Sequence, residues 1–144
     1  MHPYPHLYTV AGRCKAAGPV TLATAGVPTL ASAPPAEFDG PGDQWSPETL
    51  LCAAVADCFV LSFRAVAAAS KFDWLGVECS VQGTLDRIER VSQFTRFDIS
   101  AKLTASPGTD AARAKTLLEK AEHVCLISNS LKGEIHLLTE IVEG

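Results

Sequence analysis

An α+β fold is predicted by three features of this sequence. Short apolar runs broken by glycine and proline open the chain, one long stretch apolar on nearly every side occupies its middle, and alternating apolar and polar segments follow it. Strand-like and helix-like stretches come in blocks, unlike the strict alternation of an α/β protein. The order reads β-β-β, long α, β-β, α, β. At 144 residues the chain is read as a single domain, residues 1–144, a size that buries roughly two-thirds of its unfolded surface.

Residues 7–30 carry apolar runs interrupted by Gly18-Pro19, Gly26 and Pro28, which predicts two or three strands in a small antiparallel meander. A loop rich in helix breakers, Pro34-Pro35 through Gly40-Pro41-Gly42, leads to Ser46. Ser46-Pro47-Glu48 predicts a helix start, with Ser as the N-cap, Pro at the first helical position, and Glu where the dipole favours negative charge. From Thr49 to about Ser70 the only charges are Asp57 and Arg64. Such a helix wants burial all round, which in a chain this short means a central position or a subunit interface, and so a homodimer.

Residues 72–85 and 94–103 alternate apolar and polar side chains and are expected to form two long paired strands. Thr109 or Asp110 caps a second helix through Ala111, Ala114, Leu117, Leu118 and Ala121, ending near Cys125. A short helical turn before Gly133 and a last strand over residues 134–142 complete the chain.

The formal net charge of −4 leaves no basic face for phosphates, so nucleic acid is not expected as a partner. The segment Met1-His2-Pro3-Tyr4-Pro5-His6 has neither a basic nor an apolar leader-like region, and no apolar run is expected to approach the roughly 18 residues of a membrane span. The expectation is a cytoplasmic protein without a membrane partner. Five cysteines, Cys14, Cys52, Cys58, Cys79 and Cys125, lack the C-x-x-C spacing of a zinc ribbon and fit no secreted disulfide framework. Most are therefore expected as free thiols.

Two of them invite a chemical reading. Cys58 lies mid-helix among Leu51, Ala54, Val55, Leu61, Ser62 and Ala65, where it is either a packed core thiol or a nucleophile opening into an apolar pocket. Cys125 follows Ala121-Glu122-His123-Val124 beside another apolar cluster and admits the same two readings. His123 is either a base or ligand, or a residue satisfying the carbonyls of a helix end. A metal held by Cys58, His123 and Cys125 lacks a fourth ligand, and neither metal nor cofactor is expected. Phe38, Trp45, Phe59, Phe63 and Trp74 are either core or pocket wall.

Gly40-Pro41-Gly42, Ser46-Pro47-Glu48-Thr49-Leu50-Leu51, Ala53-Ala54 and Ala56-Asp57-Cys58-Phe59 resemble the first cysteine signature of the OsmC/Ohr family. Lys120-Ala121 through Cys125 to Ser128 resembles the second. The resemblance implies an intertwined homodimer in which antiparallel sheet wraps the long central helices. It also implies a peroxidase acting on organic hydroperoxides, with Cys58 as the attacking thiol and Cys125 as the thiol that closes a disulfide with it in the folded dimer. An external dithiol would reopen that disulfide; in the better-known branch of the family this is a protein-bound lipoyl group. The alternative on the same fold is a thiol redox sensor or small-molecule binder without turnover.

The family also places a Glu and an Arg around the reactive sulfur. Glu48 matches the Glu. Ten residues along a straight helix carry it about 15 Å from Cys58, so it is expected to serve Cys58 of the partner subunit. No Arg stands in Glu37-Phe38-Asp39, where one branch has it, which leaves Arg13 as the candidate and Arg64 as the alternative. Asp57 stands where a small apolar residue is common, and its carboxylate would raise a neighbouring thiol's pKa unless the helical turn points it away. Leu126 replaces a common proline. Cys14, Cys52 and Cys79 match no motif and are expected to be structural, Cys52 about 120° around the helix from Cys58.

Overall fold

Glycine and proline punctuation organises the first fifty residues of the computed structural model, which describes residues 1–144 and forms two compact units, 1–50 and 51–144. In the first unit β1 (Ala11–Arg13), β2 (Val20–Ala23) and β3 (Leu30–Ser32) make the expected antiparallel meander in the order β1-β2-β3. Gly18 and Gly26 turn the chain between them at φ of 94° and 82°, backbone that L side chains avoid. A 3-10 turn at Ala36–Phe38 follows, and Gly40 closes it by donating its N–H to the Pro35 carbonyl at 3.0 Å. Any side chain at Gly40 would collide with the Pro34 carbonyl.

Ser46 begins α1 (Pro47–Ala69) as its composition predicts. The Thr49 N–H donates to Ser46 Oγ at 3.1 Å, and the Ser46 N–H donates to Thr49 Oγ1 at 2.9 Å, a reciprocal cap that satisfies two groups the helix leaves free. Within the second unit α1 buries one stripe, Val55, Phe59, Phe63, Val66 and Ala67, at three and four residue spacing. The expected burial on every side is not met within one chain. Leu61 is 48% exposed, and Arg64 is exposed without a partner. The expectation about membrane-length segments also needs correction. An 18-residue window of α1 reaches a mean hydropathy of 1.9, enough by length and composition to span a bilayer. Asp57 and Arg64 interrupt the run without lowering its average below that level.

β4 (Trp74–Ile88) and β5 (Val91–Ala105) pair antiparallel and outrun the expected strands by several residues at the hairpin tip. There Glu89 and Arg90 take φ of 50° and 70°, the two-residue turn whose twist suits a hairpin. The tip is held by its ladder and turn, and its side chains are exposed, so hydrophobic alternation could not reveal it. Toward the core, Phe97, Ile99, Ala101, Leu103 and Ala105 of β5 are buried in strict alternation.

Asp110 caps α2 (Ala111–Val124), its carboxylate accepting from the Ala112 and Arg113 N–H groups. After the four-residue α3 (Leu126–Asn129), β6 (Glu134–Glu143) joins the far side of β5. This strand corrects the expectation of a wholly antiparallel sheet, because β5 and β6 run parallel. The intervening helices form the crossover that returns the chain to the end of the sheet where β5 began, as a parallel pair requires.

The core joins the buried stripe of α1, the inner face of β5 and Ala114, Leu117, Leu118 and Ala121 of α2. Phe63 meets Trp74 edge-on with ring centroids 5.3 Å apart, so both are core residues. A Cβ at Gly83 would lie 2.8 Å from both Cys52 Sγ and a Phe94 ring carbon. Gly83→Ala is therefore expected to cost about 1–3 kcal/mol through overpacking, readable as a lower urea midpoint with unchanged slope.

Candidate functional site

Two segments of the second unit bring the proposed pair of thiols together. Cys58 is half-buried at the margin of the buried stripe of α1, while Cys125 is fully buried at the junction where α2 ends and α3 begins. The Cys125 side chain comes near enough to the Cys58 sulfur to help lower its pKa. This meeting occurs inside one chain and needs no second subunit. Both thiols are free.

Their surroundings give them different acidities. Burial pushes the Cys58 thiol up. The Ile127 N–H, the Cys125 thiol, the Ser62 hydroxyl and the Leu126 N–H together outweigh that, holding it below the usual cysteine range. Ser62 lies one turn along α1, its Oγ 3.9 Å from the sulfur. Burial also pushes Cys125 up. The Ser128 hydroxyl, 3.3 Å from the sulfur, and the Ser128 N–H pull it down, but donation to Cys58 and the charge there leave it raised. Cys58 is thus the more acidic of the two thiols and Cys125 the less acidic.

The other three cysteines lie in different surroundings. Cys52 is raised by burial beside Gly83. Burial and the charge of Cys125 push Cys79 up to about 11, so it stays protonated at neutral pH. Cys14 is exposed on the first unit. Asp57 is exposed and does not act on the Cys58 sulfur, so its carboxylate does not raise the thiol. His123 is exposed in the last turn of α2, where its carbonyl accepts from Asn129 Nδ2 at 3.2 Å. No group of three or more His, Cys, Asp or Glu is arranged to hold a metal ion.

Glu48 and Arg13 belong to the first unit. Glu48 Oε1 is buried without a hydrogen-bond partner. Its side chain borders a hollow of about 260 Å³ lined otherwise by Val20, Ser32, Ala33, Pro34, Pro35, Phe38 and Pro47. Arg13 ends β1 exposed, beside Cys14 and Lys15. Within that unit the two are not paired.

Sequence reasoning missed the backbone donors of Leu126 and Ile127, which no side-chain pattern announces. Ser62 and Ser128 were legible, standing four and three residues from the sulfurs they serve.

A two-thiol α+β protein is the class this fold and site define. Residues 40–140 match the family model described as OsmC-like protein. The chain belongs to the OsmC-like family. It is 38% identical over 104 residues to an organic hydroperoxide resistance protein of Xanthomonas axonopodis, covering 70% of each chain. It is 28% identical over 92 residues to the peroxiredoxin OsmC of Escherichia coli, covering 64% of each. Among solved structures it resembles an organic hydroperoxide resistance protein OsmC from Legionella pneumophila at a TM-score of 0.76 and 25% identity, covering 97% and 99% of the two chains. An OsmC-like protein of unknown function from Vibrio cholerae shares the fold at a TM-score of 0.84 and 17% identity, covering 96% and 100%. These relatives support a peroxidase-like role.

Proposed function

We propose that this protein reduces organic hydroperoxides to alcohols through a Cys58–Cys125 cycle. The observation that carries the reading is the nearness of Cys58, whose thiol is made more acidic, to Cys125, whose thiol is made less so. The Cys58 thiolate attacks the outer peroxide oxygen, and the O–O bond breaks. Cys58 becomes a sulfenic acid, and the alkoxide leaves as alcohol after taking a proton. Cys125 then attacks the sulfenic sulfur, water departs, and the disulfide forms. Oxidation of Cys58 removes the negative charge that raised Cys125, so the second thiol ionises more readily when its attack is due. An external dithiol, of which a lipoyl protein is one form, takes up the oxidising equivalents.

Further parts of the reading rest on chemistry in each unit. Glu48, with an unsatisfied buried oxygen beside an apolar hollow, suits a substrate with an apolar body and a polar head. Arg13 is its proposed cationic companion. The exposed apolar flank of α1, including Leu61, supports a homodimer that covers it and lets residues 1–144 act as one domain. The net charge of −4 argues against nucleic acid, and we place the protein in the cytoplasm without a membrane partner.

The test mixes reduced protein with cumene or tert-butyl hydroperoxide and a dithiol in excess. Many equivalents of peroxide consumed per chain are expected. Oxidation that stops at one equivalent with dihydrolipoamide, dithiothreitol and thioredoxin alike would replace the enzyme by a redox sensor.

A further inference from the structure

The last carbonyls of a helix have no donor within it, so those at the end of α1 have to be accounted for. There Lys71 turns left-handed at φ 52°. The Phe72 N–H donates to the Ala67 carbonyl at 2.9 Å and the Lys71 N–H to the Ala68 carbonyl at 3.2 Å, the paired closure of a Schellman end. That leaves the Ser70 carbonyl to a side chain. Arg113, in the first turn of α2, donates to it from Nη2 at 2.6 Å, and the guanidinium carbon lies 5.4 Å from the centre of the buried Phe72 ring. α1 has no basic residue in its last turn, so this cation from another helix also answers the negative end of its dipole. The Arg113 N–H is itself held by the Asp110 carboxylate at 3.3 Å.

The same two helices meet again where Cys125 comes near Cys58. Cys58 to Ser70 along α1 and Arg113 to Cys125 along α2 are each twelve residues, about 18 Å at about 1.5 Å per residue. The helices thus run antiparallel over matched spans, tied at one end by Arg113 and meeting at the other through the thiols. We infer that Arg113 is a positioning residue for the two-thiol site: it sets how far α2 lies along α1, and that distance decides whether Cys125 reaches Cys58. The tolerance is small. A disulfide asks for Cβ atoms about 3.5–4.5 Å apart, a window of about 1 Å, whereas a slip of one helical turn displaces α2 by about 5.4 Å. Burial of Ala114, Leu117, Leu118 and Ala121 presses α2 onto the core, but apolar burial is non-directional. The hydrogen bond at Ser70 is directional and fixes the place along the axis. The inference rests on the Cys58–Cys125 pairing proposed above and adds a residue distant from either sulfur.

The test is the equilibrium of that disulfide with glutathione, in which two protein thiols become a disulfide as one oxidised glutathione becomes two reduced molecules. Full-length protein is equilibrated in buffers of graded glutathione ratio, its thiols are trapped, and the Cys58–Cys125 linkage is measured by peptide mass spectrometry. Arg113→Ala should lower the equilibrium constant about tenfold, the scale of one hydrogen bond to a charged group. Arg113→Lys keeps a cation within reach of the carbonyl and the Phe72 ring and should recover part of the loss. Lys115→Ala removes a positive charge from the same helix, where it faces Glu119 rather than Ser70, and should leave the constant at its wild-type value. An unchanged constant in Arg113→Ala, no recovery in Arg113→Lys, or an equal fall in Lys115→Ala overturns the inference.

Should Arg113→Ala not fold, the wild type decides. Coupling between two contacts is reciprocal, so closing the disulfide must tighten the one at Arg113. The Arg113 guanidinium protons should exchange with water more slowly in the oxidised than in the reduced protein; equal rates overturn the inference. Peroxide consumption, measured separately, tells the two ideas apart. A disulfide that responds to Arg113 in a protein without turnover keeps the positioning role and removes the peroxidase, whereas turnover with no response to Arg113 does the reverse.

Discussion

The Cys58→Ser variant is expected to lose peroxide reduction by at least about a thousandfold, because a serine hydroxyl neither ionises near neutral pH nor attacks a peroxide oxygen as a thiolate does. The Cys125→Ser variant should behave differently. Its Cys58 keeps the Leu126 and Ile127 N–H groups and Ser62 as donors, so the first equivalent of peroxide should still be consumed. What it loses is the second thiol. Excess peroxide should then carry Cys58 to the sulfinic acid, seen in whole-protein mass as two added oxygens. The wild type under the same dose should instead show the loss of two hydrogens on forming the disulfide. Equal, small losses in both variants would remove the two-thiol cycle.

Acid should slow the wild type in a defined direction. A depressed thiol pKa lets Cys58 ionise at lower pH than an ordinary cysteine, and activity falls as pH drops through that depressed value. The linkage to folding has the same sign. Stability from the donors on Cys58 is present above the unfolded pKa and is lost as pH falls through the folded one.

The second large effect is on stability. Phe63→Ala should cost about 3–5 kcal/mol, a large part of the 5–15 kcal/mol that typically holds a domain together. Phe63 is fully buried in the core cluster, and its edge-on contact with Trp74 vanishes with the ring. Urea unfolding followed by circular dichroism at constant protein concentration measures the loss. A cost below about 1 kcal/mol would mean that the core closes over the gap, contrary to the packing around this ring.

Much of this architecture was legible because local rules and tertiary packing agree. Ser46 and Asp110 begin helices, and glycine at 18 and 26 turns the chain, for reasons confined to a few residues. The alternation along residues 94–103 states which side chains enter the core. The hairpin tip beyond them was not legible, since Arg87 to Ser92 are held by main-chain pairing and by two residues of positive φ, without apolar alternation. The parallel direction of β6 was hidden too, because its sequence alternates identically whichever way it runs.

At the site, the sequence alone determined which atoms are available: a cysteine in a long apolar helix, a second near the end of another helix, and serines one turn from each. These follow from helical periodicity, a local property. Only the tertiary structure decided that the two cysteines come near each other, that Cys58 is the more acidic one, and that Asp57 is not among the groups that shift it. Thiol acidity is the small balance of burial against a few donors, and two of those donors are main-chain N–H groups that every residue but proline carries.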